Sequence, residues 1–434
     1  MATTSYLQIL LFFLLASTSS ARVPAVETFS YSNSGEFGPY IAEYGANYRV
    51  LPIATSPFQL CFFNSTPGAF YLALRMATRR SESIFRFVWT ANPTRPVGEK
   101  ATFSLLSSGD LRLTDADGSV VFSSGTANKG VSSLRLLPNG NIVLVDAGGR
   151  TLWQSFDHPT DSLLVGQSLP VGKKLVSRLG TYSLIVDTGG LGLYINNVAG
   201  MSKPLLYSTA DGIMRIENKG LKLVTFEAEP LTESENEGPY AYELRLSLQP
   251  QLGTIITGRP KYNATFSFLR VEEDGNLLVY TYYDPVDYRA WEVVFAVFSD
   301  DLGWENECRL PYKCGSMGVC TKEMCVACPR FGWLAGWETD CSPPASTAMA
   351  VARCRKGEPA SFYKVEGVDT FLSRYGKAVE HVTEGKCMER CTADCSCLGF
   401  LYREKEARCW LAPVIGTLEK TDNSSHVAWI KFYK

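Results

Sequence analysis

The stretch Glu272-Glu-Asp-Gly-Asn-Leu-Leu-Val-Tyr280 decides how most of this chain is read. Asp274-Gly275 suits a tight hairpin, because Gly adopts the positive φ that such turns need. Leu277 to Tyr280 then reads as a strand. The same phrase, a small or Asx residue followed by Gly, Asx and apolar alternation, stands at Ser108-Gly-Asp110 and Asn139-Gly-Asn141. Repetition of one hairpin predicts a pseudo-symmetric barrel or prism.

Further turn pairs recur about every ten residues, at Asp117-Gly118, Gly148-Gly149 and Gly189-Gly190. Ile142 to Val145 and Gly192 to Ile195 are strand-like pieces between them. No helical periodicity interrupts the region from about Phe29 to Phe298, so it reads as all-β and long enough for two domains. Trp89 and Trp153 are expected in cores, where large rings contribute most. The acidic run Glu227 to Glu237 reads as a solvated loop.

Twelve of the thirteen cysteines follow residue 307, and only Cys61 precedes them. Dense, even-numbered cysteines form disulfides in oxidising compartments. Leu7 to Ala16 is apolar, too short to span a bilayer and followed by small residues, which predicts a signal peptide over 1–21. The sequons Asn64-Ser-Thr, Asn263-Ala-Thr and Asn423-Ser-Ser point the same way, as N-glycosylation sites at Asn64, Asn263 and Asn423. No other run reaches the ~20 residues of a membrane helix, so no membrane anchor is expected. Basic and acidic residues number 42 and 44, for a net charge of −2. That balance recruits neither nucleic acid nor an anionic surface.

Phe87-Val-Trp-Thr-Ala-Asn92 and Trp153-Gln-Ser-Phe-Asp-His-Pro-Thr-Asp-Ser-Leu-Leu164 resemble phrases of plant bulb-type (mannose-binding) lectin domains, as found in S-locus glycoproteins and lectin receptor kinases. The resemblance implies tandem β-prisms of three four-stranded sheets each, over 29–165 and 166–300, the second degenerate. It also implies where sugar would bind: that family uses Gln-x-Asp-x-Asn-x-Val-x-Tyr. There Asp and Asn hold hydroxyls and Val packs on the ring. Glu272, Asp274, Asn276, Leu278 and Tyr280 match it best, with Glu replacing Gln at the loss of two N–H donors. Asn139, Asn141 and Val143 match in part, while Leu106 to Thr114 departs throughout. The competing reading is that Asp-Gly-Asn is a good turn and Tyr280 a core cap.

Cys308 to Cys341 holds six cysteines in 34 residues, a segment too small to fold without cross-links. Its spacing resembles the EGF-like segment of S-locus glycoproteins, here 304–342, which implies Cys308–Cys320, Cys314–Cys325 and Cys328–Cys341. Sequence alone leaves fifteen pairings open. Zinc at Cys325-x2-Cys328 is the rival, weakened by the lack of a nearby histidine. Thr383 is placed to cap a helix bearing Cys387 and Cys391 on one face. Strand-like pieces at 361–365, 398–402, 408–411 and 427–432 flank it. The spacing Cys387-x3-Cys391-x3-Cys395-x-Cys397 resembles an α+β PAN/apple domain, here 354–434. It implies Cys387–Cys409 and Cys391–Cys397, which leaves Cys354–Cys395 as the remaining pair.

The three histidines, His158, His381 and His426, are scattered, and no nucleophile elbow, zinc helix or phosphate loop occurs. No catalysis, cofactor or metal is expected, and Cys61 within an apolar run reads as a buried, inert thiol. The module order is similar to S-domain ectodomains and to epidermis-specific secreted glycoproteins of plants. The resemblance implies a secreted cell-wall (apoplastic) protein recognising mannose-type glycans on other glycoproteins. Its alternative is an interaction protein with degenerate sugar sites that acts through its PAN and prism surfaces. The expected partners are glycans or glycoproteins of the cell wall, and a homo-oligomer is left open.

Overall fold

The computed structural model describes residues 22–77, 84–209, 220–231, 241–286, 290–330, 333–338, 341–342 and 347–433. The expected signal peptide lies outside them. The chain divides into two compact units, Met1–His158 and Pro159–Lys434.

Three antiparallel sheets make the first unit. Asn47–Thr55, Phe58–Thr66, Ala69–Met76 and Arg86–Thr90 follow one another in the first. Phe29–Ser32 edges the second, beside Thr102–Leu105, Leu111–Thr114 and Val120–Ser123. The third has three described strands, Val131–Leu136, Ile142–Asp146 and Thr151–Gln154, where four are expected. Upstream of Phe29 the chain leaves Pro24 as a 3-10 turn, Ala25–Glu27. Trp89 and Trp153 lie in the core with ring centroids 6.3 Å apart, and Phe122 stands 5.9 Å from Trp153. His158 stacks on Trp153 at 5.5 Å, and its carbonyl accepts from the Trp89 indole N–H at 2.9 Å.

The second unit opens with three short strands, Ser162–Leu164, Ser168–Pro170 and Lys174–Val176, each of which edges a different four-stranded sheet. Lys174–Val176 joins Tyr182–Asp187, Gly190–Ile195 and Leu205–Ser208. Ser168–Pro170 joins Leu223–Pro230, Tyr242–Gln249 and Gly253–Gly258. Ser162–Leu164 joins Ser267–Val271, Leu277–Tyr282 and Trp291–Ala296.

The division between prisms falls at 158/159, not at 165/166. Ser162 pairs with Arg270, and Leu163 is buried in the second core, so the Trp153–Leu164 phrase straddles the boundary. The start of the acidic run is strand rather than loop. Phe226 points inward and is fully buried, while Glu227 and Glu229 lie on the half-buried face beside Arg245, which is 3.1 Å from Glu229. Period-2 alternation hides in such a run because the outward positions carry the charge. Its remainder, 232–237, lies outside the described residues.

The cysteine-rich segments are not free-standing. One core runs from Leu193 and Phe298 of the second prism through Met317, Cys328 and Cys341 to Phe371, Trp410 and Leu418. A five-stranded sheet also joins them. Val319–Thr321 of the first segment pairs in parallel with Leu418–Lys420 of the last, with Val319 opposite Leu418. Six disulfides close the loops: Cys308–Cys320, Cys314–Cys325, Cys328–Cys341, Cys354–Cys395, Cys387–Cys409 and Cys391–Cys397. Five of these are the pairs that the EGF-like and PAN/apple resemblances imply, and Cys354–Cys395 is the one that was left over. In the last segment Ala360–Glu366, His426–Tyr433, Gly399–Arg403 and Arg408–Ala412 form a sheet under the helix Glu384–Ala393. The Thr383 hydroxyl accepts from Lys386 N–H at that helix's start. At its end Lys431 Nζ donates to the carbonyls of Cys391 and Asp394 at 2.8 and 3.1 Å, and the first of these is an acceptor the helix leaves unpaired. Two helices, Thr347–Arg355 and Leu372–Tyr375, had no counterpart in the sequence reading.

Candidate carbohydrate site

The three repeated turns share one backbone geometry. Gly109, Gly140 and Gly275 have φ of 90°, 85° and 91°. Each donates its N–H to the carbonyl three residues back, Leu106, Leu137 or Glu272, at 2.8 to 3.1 Å. Only Gly takes that φ without strain. Gly275 needs its missing side chain twice over, since a Cβ there would lie 2.8 Å from the Tyr182 ring.

The Asx after each Gly is a clamp. Asn276 Oδ1 accepts from Leu277 N–H and Phe298 N–H at 2.9 and 3.0 Å, and its Nδ2 donates to the Phe298 carbonyl at 2.8 Å. Asn141 Oδ1 accepts from Ser155 Oγ and Phe156 N–H at 3.2 and 3.3 Å, and its Nδ2 donates to Gln154 Oε1 at 2.9 Å. Asp110 takes the Ser123 and Ser124 hydroxyls, Thr126 N–H and Arg112. All three are buried. Each ties its turn to the chain just beyond the next strand or two, closing its sheet.

The remaining motif residues are also drawn into the fold. Glu272 Oε1 accepts from the Tyr280 hydroxyl at 2.8 Å and from Arg270 Nε at 2.9 Å. Arg270 is 1% exposed, with its guanidinium 4.9 Å from the Phe268 ring centroid and 5.3 Å from that of Tyr280. Glu in place of Gln therefore has a physical reason: its charge balances a buried cation. Tyr280 is buried and Leu278 half-buried. Asp274 is exposed at the turn, and its Oδ1 accepts from Asn276 N–H at 2.8 Å. Despite that exposure, the protein around the carboxyl desolvates it, and Glu272 and Glu307 add repulsion, so its pKa is raised. In the first prism Asn139 is exposed with its Oδ1 on Asn141 N–H, and Val143 is buried.

The structure thus brings Glu272 and Tyr280 together, keeps Asp274 at the surface, commits Asn276 to the backbone, and commits Asn141 to Ser155, Phe156 and Gln154. Arg270 was missed by the sequence reading. Its signal was its place two residues before Glu272, on the same face of the strand. Among the described residues no group of three His, Cys, Asp or Glu side chains could hold a metal ion, and no helix is long and apolar enough to cross a membrane. Cys61 is buried and free, and burial pushes its thiol up to about 12 although Arg75 draws it down.

The sequons differ in the same way. Asn263 and Asn423 are exposed. Asn64 is buried within Phe58–Thr66, and its Oδ1 has no hydrogen-bond partner.

Residues 86–183 match the D-mannose binding lectin family and 360–425 match the PAN domain. EP1-like glycoprotein 2 of Arabidopsis thaliana is 42% identical, with 95% of each chain covered. The chain belongs to the EP1-like glycoprotein family. The epidermis-specific secreted glycoprotein EP1 of Daucus carota is 46% identical over 78% of this chain and 92% of its own. A G-type lectin S-receptor-like kinase of Arabidopsis thaliana, SD2-5, is 25% identical over 81% of this chain but only 41% of its own length. This chain thus pairs a lectin-like front with a PAN domain at the back.

Proposed function

We propose that this protein is secreted to the plant cell wall and acts there, without catalysis, as an interaction protein whose lectin prisms have become scaffold. The observation that carries this is the commitment of Asn276 and Tyr280. A sugar hydroxyl needs the side-chain amide that Asn276 gives to Phe298, and the hydroxyl that Tyr280 gives to Glu272. Displacing either leaves a buried polar group unpaired, at about 1–3 kcal/mol each. Such a cost consumes most of what one weak monosaccharide contact returns. The names of the relatives, a secreted glycoprotein among them, support the compartment.

Mannose recognition is the second reading, favoured by the exposed Asp274 carboxylate and the retained Asp-x-Asn spacing. Passing the secreted protein and its Asp274→Ala variant over mannose resin and a glycan array separates the two. The scaffold reading expects no mannose-specific retention of either protein. Retention of the wild type that Asp274→Ala abolishes would restore the lectin reading. A flat response across cell-wall polysaccharide substrates is the expected result of a hydrolase assay.

A further inference from the structure

We infer that the second prism carries a built seat for its own N-glycan, at Asn263. The reading rests on the secretory route proposed above. A pocket of about 430 Å³ opens beside this asparagine, lined by Tyr262, Phe266, Tyr283, Pro285 and Val286, with Asn263 itself on the wall. That is within the ~300–1,000 Å³ of small-ligand pockets. Tyr262 is 59% exposed. It stands edge-on to Tyr283 with centroids 5.1 Å apart, and Tyr283 is held by its hydroxyl to Glu292 at 2.7 Å. The pocket therefore presents one fixed aromatic wall and one exposed one.

The occupant is named by the tether. Asn263 and Thr265 are both exposed, and the turn between them uses Asn263 Oδ1, which accepts from Thr265 N–H at 2.9 Å. The amide nitrogen is the atom that carries the sugar. It displaces the pyrophosphate from the anomeric carbon of a lipid-linked oligosaccharide. The N–C1 bond forms, the C1–O bond breaks, and the amide gives up one proton. The first two N-acetylglucosamine rings are then held at the pocket mouth at high effective concentration. Their C–H faces and acetamido methyls match aromatic walls. A covering glycan also removes an exposed apolar patch from water, a surface that otherwise invites association. Asn423, also exposed, does not line this pocket.

The test uses the full secreted chain, made with glycan processing blocked so that all glycans stay high-mannose. Peptide mass spectrometry measures occupancy, and endoglycosidase H, which cuts between the two core sugars, is applied to the folded protein. We expect Asn263 to be occupied and its glycan to be released about tenfold more slowly than that of Asn423. Tyr262→Ala keeps the sequon and should bring the two rates together. Thr265→Ala, which removes the glycan but no pocket residue, should lower the thermal midpoint. Equal release rates in the wild type, or protection unchanged by Tyr262→Ala, would overturn the seat. An empty Asn263 beside an occupied Asn423 defeats the seat and leaves secretion standing. Both sites empty defeats the secretory reading as well.

Discussion

The two prisms use the same hairpin clamp but are completed differently. The first spans three sheets, carries no cross-link, and buries its one thiol, Cys61. The second has three full sheets, and its core continues without a break into the two cysteine-rich segments. A prism of this size holds itself together by packed strands. The segments after it are too small for that, and the structure gives them two supports. Disulfides close their loops, and the second prism lends them apolar surface.

The strongest break in that comparison is removal of a cross-link. Replacing Cys387 and Cys409 together with Ser should cost about 2–5 kcal/mol. Limited proteolysis with mass mapping should then cut after residue 159 while 22–158 survives. Early cuts before 158 would show that the units do not stand apart. Cys61 reports on the first prism alone. An aromatic disulfide reagent at mildly alkaline pH should not react with it in the native protein, since burial keeps the thiol protonated. In denaturant without reductant, a single thiol should appear.

Next come the clamps. Asn276→Ala strips partners from Leu277 and from both backbone groups of Phe298, and should cost roughly 2 kcal/mol or more in urea unfolding. Asn141→Ala should cost less, since its Nδ2 partner Gln154 is a side chain that also bonds Asp157. Equal values would mean that the repeat, not the individual partners, sets the cost.

The smallest effect is on pH dependence, and it has opposite signs in the two prisms. Burial alone would raise the pKa of Asp110, but Arg112, Ser123, Ser124 and Thr126 outweigh it and hold the carboxyl low. Its contribution is present above the unfolded value of about 3.9 and is lost as pH falls through the lower folded value. At Asp274 burial raises the pKa. Its penalty is full above the raised folded value and vanishes below the unfolded one. Thermal midpoints against pH should therefore show Asp110→Asn losing stability at neutral pH and Asp274→Asn gaining slightly, the two converging towards wild type in acid.

Much of the fold was legible. The strands at 142–146, 190–195 and 277–282 follow from alternation between Gly turns, and the helix at 384–393 from Thr383 and the cysteine spacing. The 158/159 boundary was not, because a three-residue strand, Ser162–Leu164, carries too little pattern to show which sheet it joins. The strand under the acidic run was missed because its inward residues, Phe226 and Ala228, are outnumbered by charge.

The sequence by itself determined the hairpin repeat, the turn glycines and the place where cross-links would gather. Each depends on residues within a few positions of one another. Only the tertiary structure decided what the motif side chains do. Asn276 meets Phe298 22 residues on, and Asn141 meets Phe156 15 residues on. Glu272 balances an arginine that its strand buries. Whether an Asx beside a Gly offers its amide to a sugar or to the backbone depends on what the next strands bring within 3 Å, and no local pattern carries that distance.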